Sequence, residues 1–352
     1  MDSFGDLLFY LVIETGFLKA ALVVNLLLVV VMILTLMERK ISAWIQERHG
    51  PNRVGPWGIL QPIADGVKFF TKEDIVPSHV DKFLYIIAPL VSLFPALVTF
   101  AVVPFGDQMT VNMFDHLVTI QFQVADINVG ILYIVGIASL GVYGLIVGGF
   151  GSNNKYSMLG GLRSSAQMIS YELPMGLAII SVVMLSGSLR LNDIVTDQSS
   201  LLAWNIFRQP LGFIIFFVAA FAETNRLPFD LPEAEQELVG GYHTEYSSMK
   251  FSAFMISEYS HIITASSLVA TLYLGGWQIP GLAALNLPIV AEQLLQILAF
   301  IVKTSFIIFI FMWVRWTLPR FRYDQLMNLG WKSMVPLGLL NVVLTAAVVA
   351  FF

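Results

Sequence analysis

The chain has 352 residues, of which 57% are hydrophobic and only 12% charged, with a formal net charge of −5. Soluble domains carry roughly 25% charged residues, so this composition excludes an ordinary soluble domain and points to a membrane protein. No cysteine is present, which excludes disulfides, thiolate zinc sites and cysteine-bound iron–sulfur clusters within the chain. The five histidines are scattered, with no HxxxH or HxH pair, so no metal site is expected.

In chain order, the N-terminal "MDSFGDLLFY" is acidic and lacks a basic n-region, so no signal or transit peptide is expected. A helix needs about 20 apolar residues to cross the hydrocarbon core. Eight segments meet that need, at about 14–37, 83–104, 128–150, 166–187, 207–225, 251–274, 289–315 and 334–352, with edges good to a few residues. The expected fold is therefore all-α: one integral membrane domain of eight spans. Its long connections, 38–82 and 226–250, carry amphipathic pieces. In the first of these, "GILQPIADGVKFF" places Ile59, Ile63, Val67 and Phe70 at helical spacing, with Gln61, Asp65 and Lys68 offset. That pattern predicts a helix lying along the membrane surface. In the third span, Gly144 and Gly148 stand at GxxxG spacing, which close helix packing explains.

Ionisable residues interrupt four spans. Glu172 precedes Pro174 by two residues, and a helix proline frees a carbonyl and favours a kink. The fifth span has only a short apolar run before Glu223, so part of Glu223–Arg226 is drawn into or near the bilayer. In the sixth, Glu258 and His261 are three apart and share a face, flanked by Ser257 and Ser260. Lys303 stands alone in the seventh, and is expected to snorkel or to pair with a carboxylate. A charge at mid-span costs about 2.5–3.5 kcal/mol on insertion scales. Glu172, Glu223 and Glu258 therefore read either as interhelical hydrogen-bonding groups or, taken together, as a proton or ion path. His261 reads as a packing hydrogen bond.

Sidedness follows from Lys and Arg. Fifteen fall in the connections after spans one, three, five and seven, three on the opposite side, and Lys303 within a span. The large connections are then cytoplasmic and both termini external. Trp44, Trp57, Trp204, Trp277 and Trp331 fall near predicted interfaces and read as membrane anchors. The stretch "ETNRLPFDLPEAEQELVGGYHTEY" (223–246) runs against the local basic bias. It holds Glu223, Asp230, Glu233, Glu235, Glu237 and Glu245, with Arg226 as its one permanent cation. Close carboxylates titrate as a coupled set, so the stretch is expected either to respond to charge or to dock on basic partner surfaces.

Five stretches together resemble one family: "MERKISAWIQERHGPNRVGPWGILQPIADGVKFFTKE", "SMLGGLRSSAQMISYELPMGL", "AETNRLPFDLPEAEQELVGGYHTEYS", "FMISEYSHI" and "RWTLPRFRYDQLMNLGWK". The family is the membrane-embedded H subunit of proton-pumping NADH:quinone oxidoreductase, respiratory complex I, the counterpart of mitochondrial ND1. The resemblance implies a subunit at the junction of the membrane and hydrophilic arms. It would form the membrane side of the quinone-access channel and begin an acidic path that couples quinone reduction to proton translocation. By motif, Glu38, Arg39, Arg48, Asp65 and Lys68 would edge the quinone channel, joined by Arg226, Asp230, Glu233 and Glu235. Glu172, Glu223 and Glu258 would form the proton path, with Tyr242 and Tyr246 candidates for the cavity wall. The chain itself would bind no cofactor and would be an enzyme only as a subunit. Quinone, expected to be ubiquinone, would be the substrate. FMN and iron–sulfur clusters would sit in partner subunits. Partners would include hydrophilic-arm subunits near the terminal cluster, small membrane subunits and lipid, with no nucleic acid. The expected location is a bacterial inner membrane with periplasmic termini, or alternatively the mitochondrial inner membrane. Competing readings are the matching subunit of an energy-converting hydrogenase or formate hydrogenlyase, a free-standing ion antiporter, and a passive scaffold. The fully developed 37–73 stretch favours the quinone enzyme.

Overall fold

The structure, a computed structural model, describes residues 16–113, 116–232, 235–282 and 287–351. Helix α1 (Phe17–Ile45) is followed by the short amphipathic α2 (Gln61–Thr71) and by α3 (Lys82–Val98), which a 3₁₀ turn extends to Val102. Strands β1 (Met109–Met113) and β2 (His116–Ile120) then form an antiparallel hairpin with Met109 opposite Ile120. Next come α4 (Gly130–Ala138), α5 (Leu140–Gly151), α6 (Lys155–Ser186), α7 (Leu191–Asp197), α8 (Pro210–Glu223) and α9 (Ser248–Tyr273). The chain closes with α10 (Ile289–Thr317), α11 (Tyr323–Asn328) and α12 (Val335–Phe351), the last two joined by a π-helical turn. The fold is a helical membrane bundle; the hairpin, which no sequence pattern above anticipates, is its one departure from helix into strand among the described residues.

Helical segments occupy all eight predicted positions, and six of them are long and apolar enough to cross a membrane: Phe17–Ile45, Lys82–Val102, Gly130–Gly151, Lys155–Ser186, Ile289–Thr317 and Tyr323–Phe351. The other two differ for distinct reasons. Helix α8 has only 14 residues, about 21 Å at 1.5 Å per residue, which falls short of the ~30 Å core. Helix α9 has the length, at 26 residues, but is rich in Ser and Thr. From Ile262 to Tyr273 every residue of it is buried. A helix covered on all sides by protein needs no lipid-compatible surface, and small hydroxyl residues let its neighbours approach closely.

Two helices outrun their predicted ends. Helix α1 continues past 37 to Ile45, because Glu38, Ile41 and Ser42 extend the buried face of Val23, Leu27, Val31 and Leu34. Helix α6 begins at Lys155, not near 166, with Asn154 capping it by accepting from the Tyr156 N–H at 2.9 Å. Its polar first turns pack inward: a Cβ at Gly160 would sit 2.8 Å from the Tyr242 backbone nitrogen.

Helix α6 packs on α5, α8 and α12, while α9 packs on α3 and α10. The GxxxG glycines do serve close approach. A Cβ at Gly144 would lie 2.6 Å from Ser92 N of α3, and one at Gly148 3.2 Å from Phe254 of α9. Helix α2 leaves Ile63, Val67 and Phe70 exposed, as its apolar stripe predicts.

Past Glu223 the chain leaves helix, yet Thr224, Arg226, Phe229, Asp230 and Leu231 are buried. Irregular backbone at this depth is tolerated only where protein surrounds it. Two expectations fail here. Trp277 is buried and Trp204 lies beneath the Lys303 ammonium at 4.5 Å, so neither is a lipid anchor, whereas Trp44, Trp57 and Trp331 are exposed. Lys303 does not snorkel, and among the described residues it meets no carboxylate. Its Nζ donates to the carbonyls of Leu274, Gly276 and Gln278 at 2.8, 2.9 and 2.8 Å, capping the chain just beyond α9. A cation is favourable at a helix C-terminus, where carbonyls lack partners.

Adding a methyl at Gly144 forces α3 and α5 apart. Gly144→Ala is expected to destabilise the detergent-purified protein by about 1–3 kcal/mol, read as a lowered thermal midpoint. The same change at Gly66, where an added methyl would meet nothing within 4 Å, should leave the midpoint near wild type.

Candidate functional site

The irregular segment after α8 delivers Arg226 into the bundle, where it is 3% exposed. Its Nη1 donates to both oxygens of Glu38 at 3.3 Å, and its Nε lies 2.6 Å from Glu258 Oε1. Glu38 comes from the polar end of α1 and Glu258 from α9. Arg315, from the end of α10, forms a second ion pair with Glu38. The Tyr259 hydroxyl donates to Glu38 Oε2 at 2.7 Å, and the Arg226 guanidinium stacks over the Tyr259 ring at 4.5 Å. Two carboxylates thus face two guanidiniums with a phenol between them. Buried charges persist only when paired and hydrogen-bonded, and this balance meets that condition.

A cleft of about 290 Å³ opens beside the cluster, between α1, α2, α9 and α10. Its polar wall includes Glu38, Arg39, Asp65, Arg226, Glu258 and Arg315; its apolar wall includes Phe69, Phe251, Met255 and Trp316. Arg39 pairs with Asp65 at 2.8 Å, tying α2 to α1, and Lys68 approaches Asp65 at 3.7 Å from the exposed side.

Behind the cluster lie two small cavities. One, of about 30 Å³, is lined by Glu223, Asn225, Tyr242, Ser257, Glu258 and His261 among others. The next, of about 20 Å³, is lined by Glu223, Thr224, His261 and Thr264 beside apolar residues of α4 and α6. Each has room for about one water. Glu258 is shared by the cleft and the first cavity, and Glu223 and His261 by the two cavities. Polar groups therefore follow one another inward from the cleft, through helices that belong to three different parts of the sequence.

The family model described as NADH dehydrogenase matches residues 18–346, which include every residue of this cluster. The chain belongs to that family. Among its relatives, H subunit 1 of the NADH-quinone oxidoreductase of Geobacter sulfurreducens is 52% identical over 339 residues, 94% of each chain. H subunit 1 of the same enzyme from Cytophaga hutchinsonii is 51% identical over 325 residues, covering 92% of this chain and 94% of the relative. NADH-quinone oxidoreductase subunit 8 of Rhodothermus marinus is 49% identical over 344 residues, covering 95% and 97%. Membership makes this chain a membrane subunit of an oxidoreductase complex.

Within this subunit, the structure brings only some of the predicted site residues together. Glu38, Arg39, Asp65, Arg226 and Glu258 meet at the cleft, with Lys68 at its rim. Glu223 lies one cavity deeper. Glu172 lines neither inner cavity. It is half-buried on α6 and close enough to Glu223 to interact with it electrostatically. Arg48 is not brought to the cleft: it bonds Gln46 Oε1 at 2.7 Å and Ser42 Oγ at 3.5 Å. Glu233 lies outside the described residues, and Glu235 opens the short helix Glu235–Leu238 with its side chain outside the described part.

Three carboxylates of the acidic stretch meet partners from elsewhere in the chain. Asp230 accepts from Arg320 at 2.8 Å, Glu237 from Arg163 at 2.7 Å, and Glu245 from Asn154 at 2.7 Å with His79 at 3.8 Å. Arginines from outside the stretch thus answer two of its members, Asp230 and Glu237. Arg226 pairs with Glu38 and Glu258. Of the two tyrosines, Tyr242 lines the inner cavity, while Tyr246 is stacked on Tyr85 at 4.3 Å. Two members of the cluster, Tyr259 and Arg315, carry no signal of their own in the sequence. Each lies inside a motif already quoted, Tyr259 directly beside Glu258.

Removing the central guanidinium takes away the counter-charge that Glu258 faces in the bundle. Arg226→Met is expected to cost about 3–5 kcal/mol, seen as loss of folded subunit from solubilised membranes. Adding Glu258→Gln to it should restore part of the yield, because one of the two buried carboxylates that Arg226 faces is then neutral.

Proposed function

We propose that this chain frames the membrane side of a quinone-access channel in proton-pumping NADH-quinone oxidoreductase, and that it begins the polar path coupling quinone reduction to proton translocation. The sharing of Glu258 between the open cleft and the first inner cavity carries this reading. The quinone ring would enter along the apolar wall of Phe69, Phe251 and Met255, beside the exposed apolar face of α2. With the basic connections cytoplasmic and both termini external, as charge bias favours, the cleft faces the hydrophilic-arm subunits. Those partners, with their FMN and iron–sulfur clusters, would supply the electrons that this cysteine-free chain has no clusters of its own to carry.

Reduction of a quinone takes two electrons and two protons. Negative charge arriving in the cleft attracts Arg226 and Arg315, which already hold Glu38. Any loosening of Arg226 from Glu258 weakens the stabilisation of the ionised carboxylate, and a nearby opposite charge is what favours that form. Glu258 then takes up a proton more readily, and Glu223 and His261 stand next in line across water-sized cavities. Glu172 would continue the path toward neighbouring membrane subunits. Both termini would be periplasmic in a bacterial inner membrane, and the chain would form a single membrane domain.

Two measurements on the assembled enzyme separate access from coupling. Phe69→Trp narrows the cleft, so it should slow reduction of long-tailed quinones several-fold more than short-tailed ones; equal slowing of both would remove the access role. Glu258→Gln should lower the number of protons pumped per NADH in sealed vesicles more than it lowers the rate of quinone reduction. A normal proton ratio and a normal rate in that variant would dismiss the coupling role.

A further inference from the structure

Arg226 lies just past the end of α8, and the way that end is closed decides where its side chain goes. Asn225 sits in the left-handed region, with φ of 51°. Its N–H donates to Ala222 O at 3.3 Å, and the Arg226 N–H donates to Phe221 O at 3.4 Å. Two such bonds across a left-handed residue form a Schellman motif. The Thr224 hydroxyl adds bonds to Ala220 O at 3.0 Å and Phe221 O at 3.2 Å. The carbonyls of Ala220, Phe221 and Ala222, which end the helix, are thus satisfied inside the bundle. On the other side, the Phe229 N–H donates to Arg226 O at 2.8 Å, so the arginine backbone is held in both directions.

Glycine is the usual residue at the left-handed position, because it has no Cβ to crowd the following carbonyl. Here the residue is asparagine, and a second helix grips its amide. Gln167 of α6, fully buried, donates Nε2 both to Ala222 O at 2.7 Å and to Asn225 Oδ1 at 3.2 Å. A carbonyl can only accept, so the Ala222 contact fixes which end of the glutamine amide faces α8. The asparagine amide follows from it. Its oxygen takes the Gln167 hydrogen, with Ser164 Oγ at 3.5 Å, and its Nδ2 meets Met168 Sδ at 3.6 Å. Ser164 precedes Gln167 and Met168 by three and four residues, which puts all three on one face of α6. A single stripe of α6 therefore clamps the end of α8.

Closing a helix does not require such a clamp. The Schellman bonds are backbone bonds, and glycine supplies the turn with no side chain at all. What the clamp adds is direction. Immediately beyond it, Arg226 must bring Nε to 2.6 Å from Glu258 Oε1 and Nη1 to 3.3 Å from both Glu38 oxygens. Those partners stand on α9 and α1, so a turn free to rock about the α8 axis would carry the guanidinium away from them. Met168, Thr224 and Asn225 also line the first inner cavity beside Glu223 and Glu258, so the clamp forms part of that cavity's wall.

We propose that Gln167 and Asn225 are positioning residues: the amide clamp between α6 and the end of α8 aims Arg226 at Glu38 and Glu258. The aiming stands on geometry alone. Its bearing on proton pumping rests on the proposed coupling role of Glu258.

The test compares wild-type intact oxidoreductase complex with complexes carrying Asn225→Gly or Gln167→Met, subunit composition verifying assembly. Asn225→Gly keeps a residue that suits the left-handed turn and removes the amide. Gln167→Met keeps a side chain of similar length and removes the donor. Density maps from electron cryomicroscopy are expected to show the Arg226 guanidinium displaced from Glu258 by about 1 Å or more in both, beyond the ~0.5 Å that a preorganised site tolerates. The double variant should move it no further than either single one, because both break the same contact. Ser181→Ala serves as control. It removes a hydroxyl bonded to Gln209 and Asn341 in a separate buried network of α6, and it should leave the guanidinium in place. A guanidinium unmoved in both single clamp variants, or moved as far by Ser181→Ala, would overturn the proposal. Protons pumped per NADH, measured in sealed vesicles, are expected to fall below wild type in both clamp variants. A displaced guanidinium with a normal proton ratio would bear out the clamp and sink the coupling role of Arg226 and Glu258 instead.

Discussion

A single guanidinium holds the site together. Arg226 touches Glu38 of α1 and Glu258 of α9 and lies on the ring of Tyr259, while Arg315 closes the arrangement from α10. None of these charges is tolerable alone at this depth. Their mutual neutralisation is what lets ionisable groups stand inside an oily bundle. It also makes the cluster sensitive: any new charge in the neighbouring cleft competes for the same guanidiniums, and one of the carboxylates they hold, Glu258, also lines the first inner cavity.

The bundle is shaped to permit this. Helix α8 stops at 14 residues, so the chain must leave helix while still surrounded by protein, and that break carries Arg226 inward. Helix α9 is surrounded in turn by α1, α3, α8 and α10, which is why Glu258, His261 and a run of Ser and Thr can line its faces without meeting lipid. The far end of the same helix is organised by another cation. There Lys303 gathers three carbonyls beyond α9 and fixes the position of Trp277. One interior helix thus has a charge-paired cleft at one end and carbonyls gathered by an ammonium at the other.

Hydropathy marks the positions of the helices well, because lipid-facing surface must be apolar whatever the tertiary arrangement. It marks their ends less well. Helix α6 starts 11 residues earlier than its apolar run, since Gly160 packs against Tyr242 and Ser157 is buried against α5, and burial by protein does not demand hydrophobicity. The hairpin at 109–120 lies in a connection between spans, where five-residue strands are too short to stand out from the polar residues around them. Lys303 escapes sequence reading for a different reason: its acceptors are backbone carbonyls, which leave no mark in residue identity.

Composition, the eight helical positions and the placing of carboxylates within them were determined by sequence alone, because the bilayer penalises polarity residue by residue. Family membership was legible as well, through long motifs. Which charge answers which could be decided only by the tertiary structure. Glu38 is 188 residues from Arg226 and 277 from Arg315, and Glu237 and Asp230 of the acidic stretch are paired with Arg163 and Arg320 from elsewhere in the chain. Pairing depends on where helices cross, and a crossing is a property of packed surfaces that no local run of residues contains.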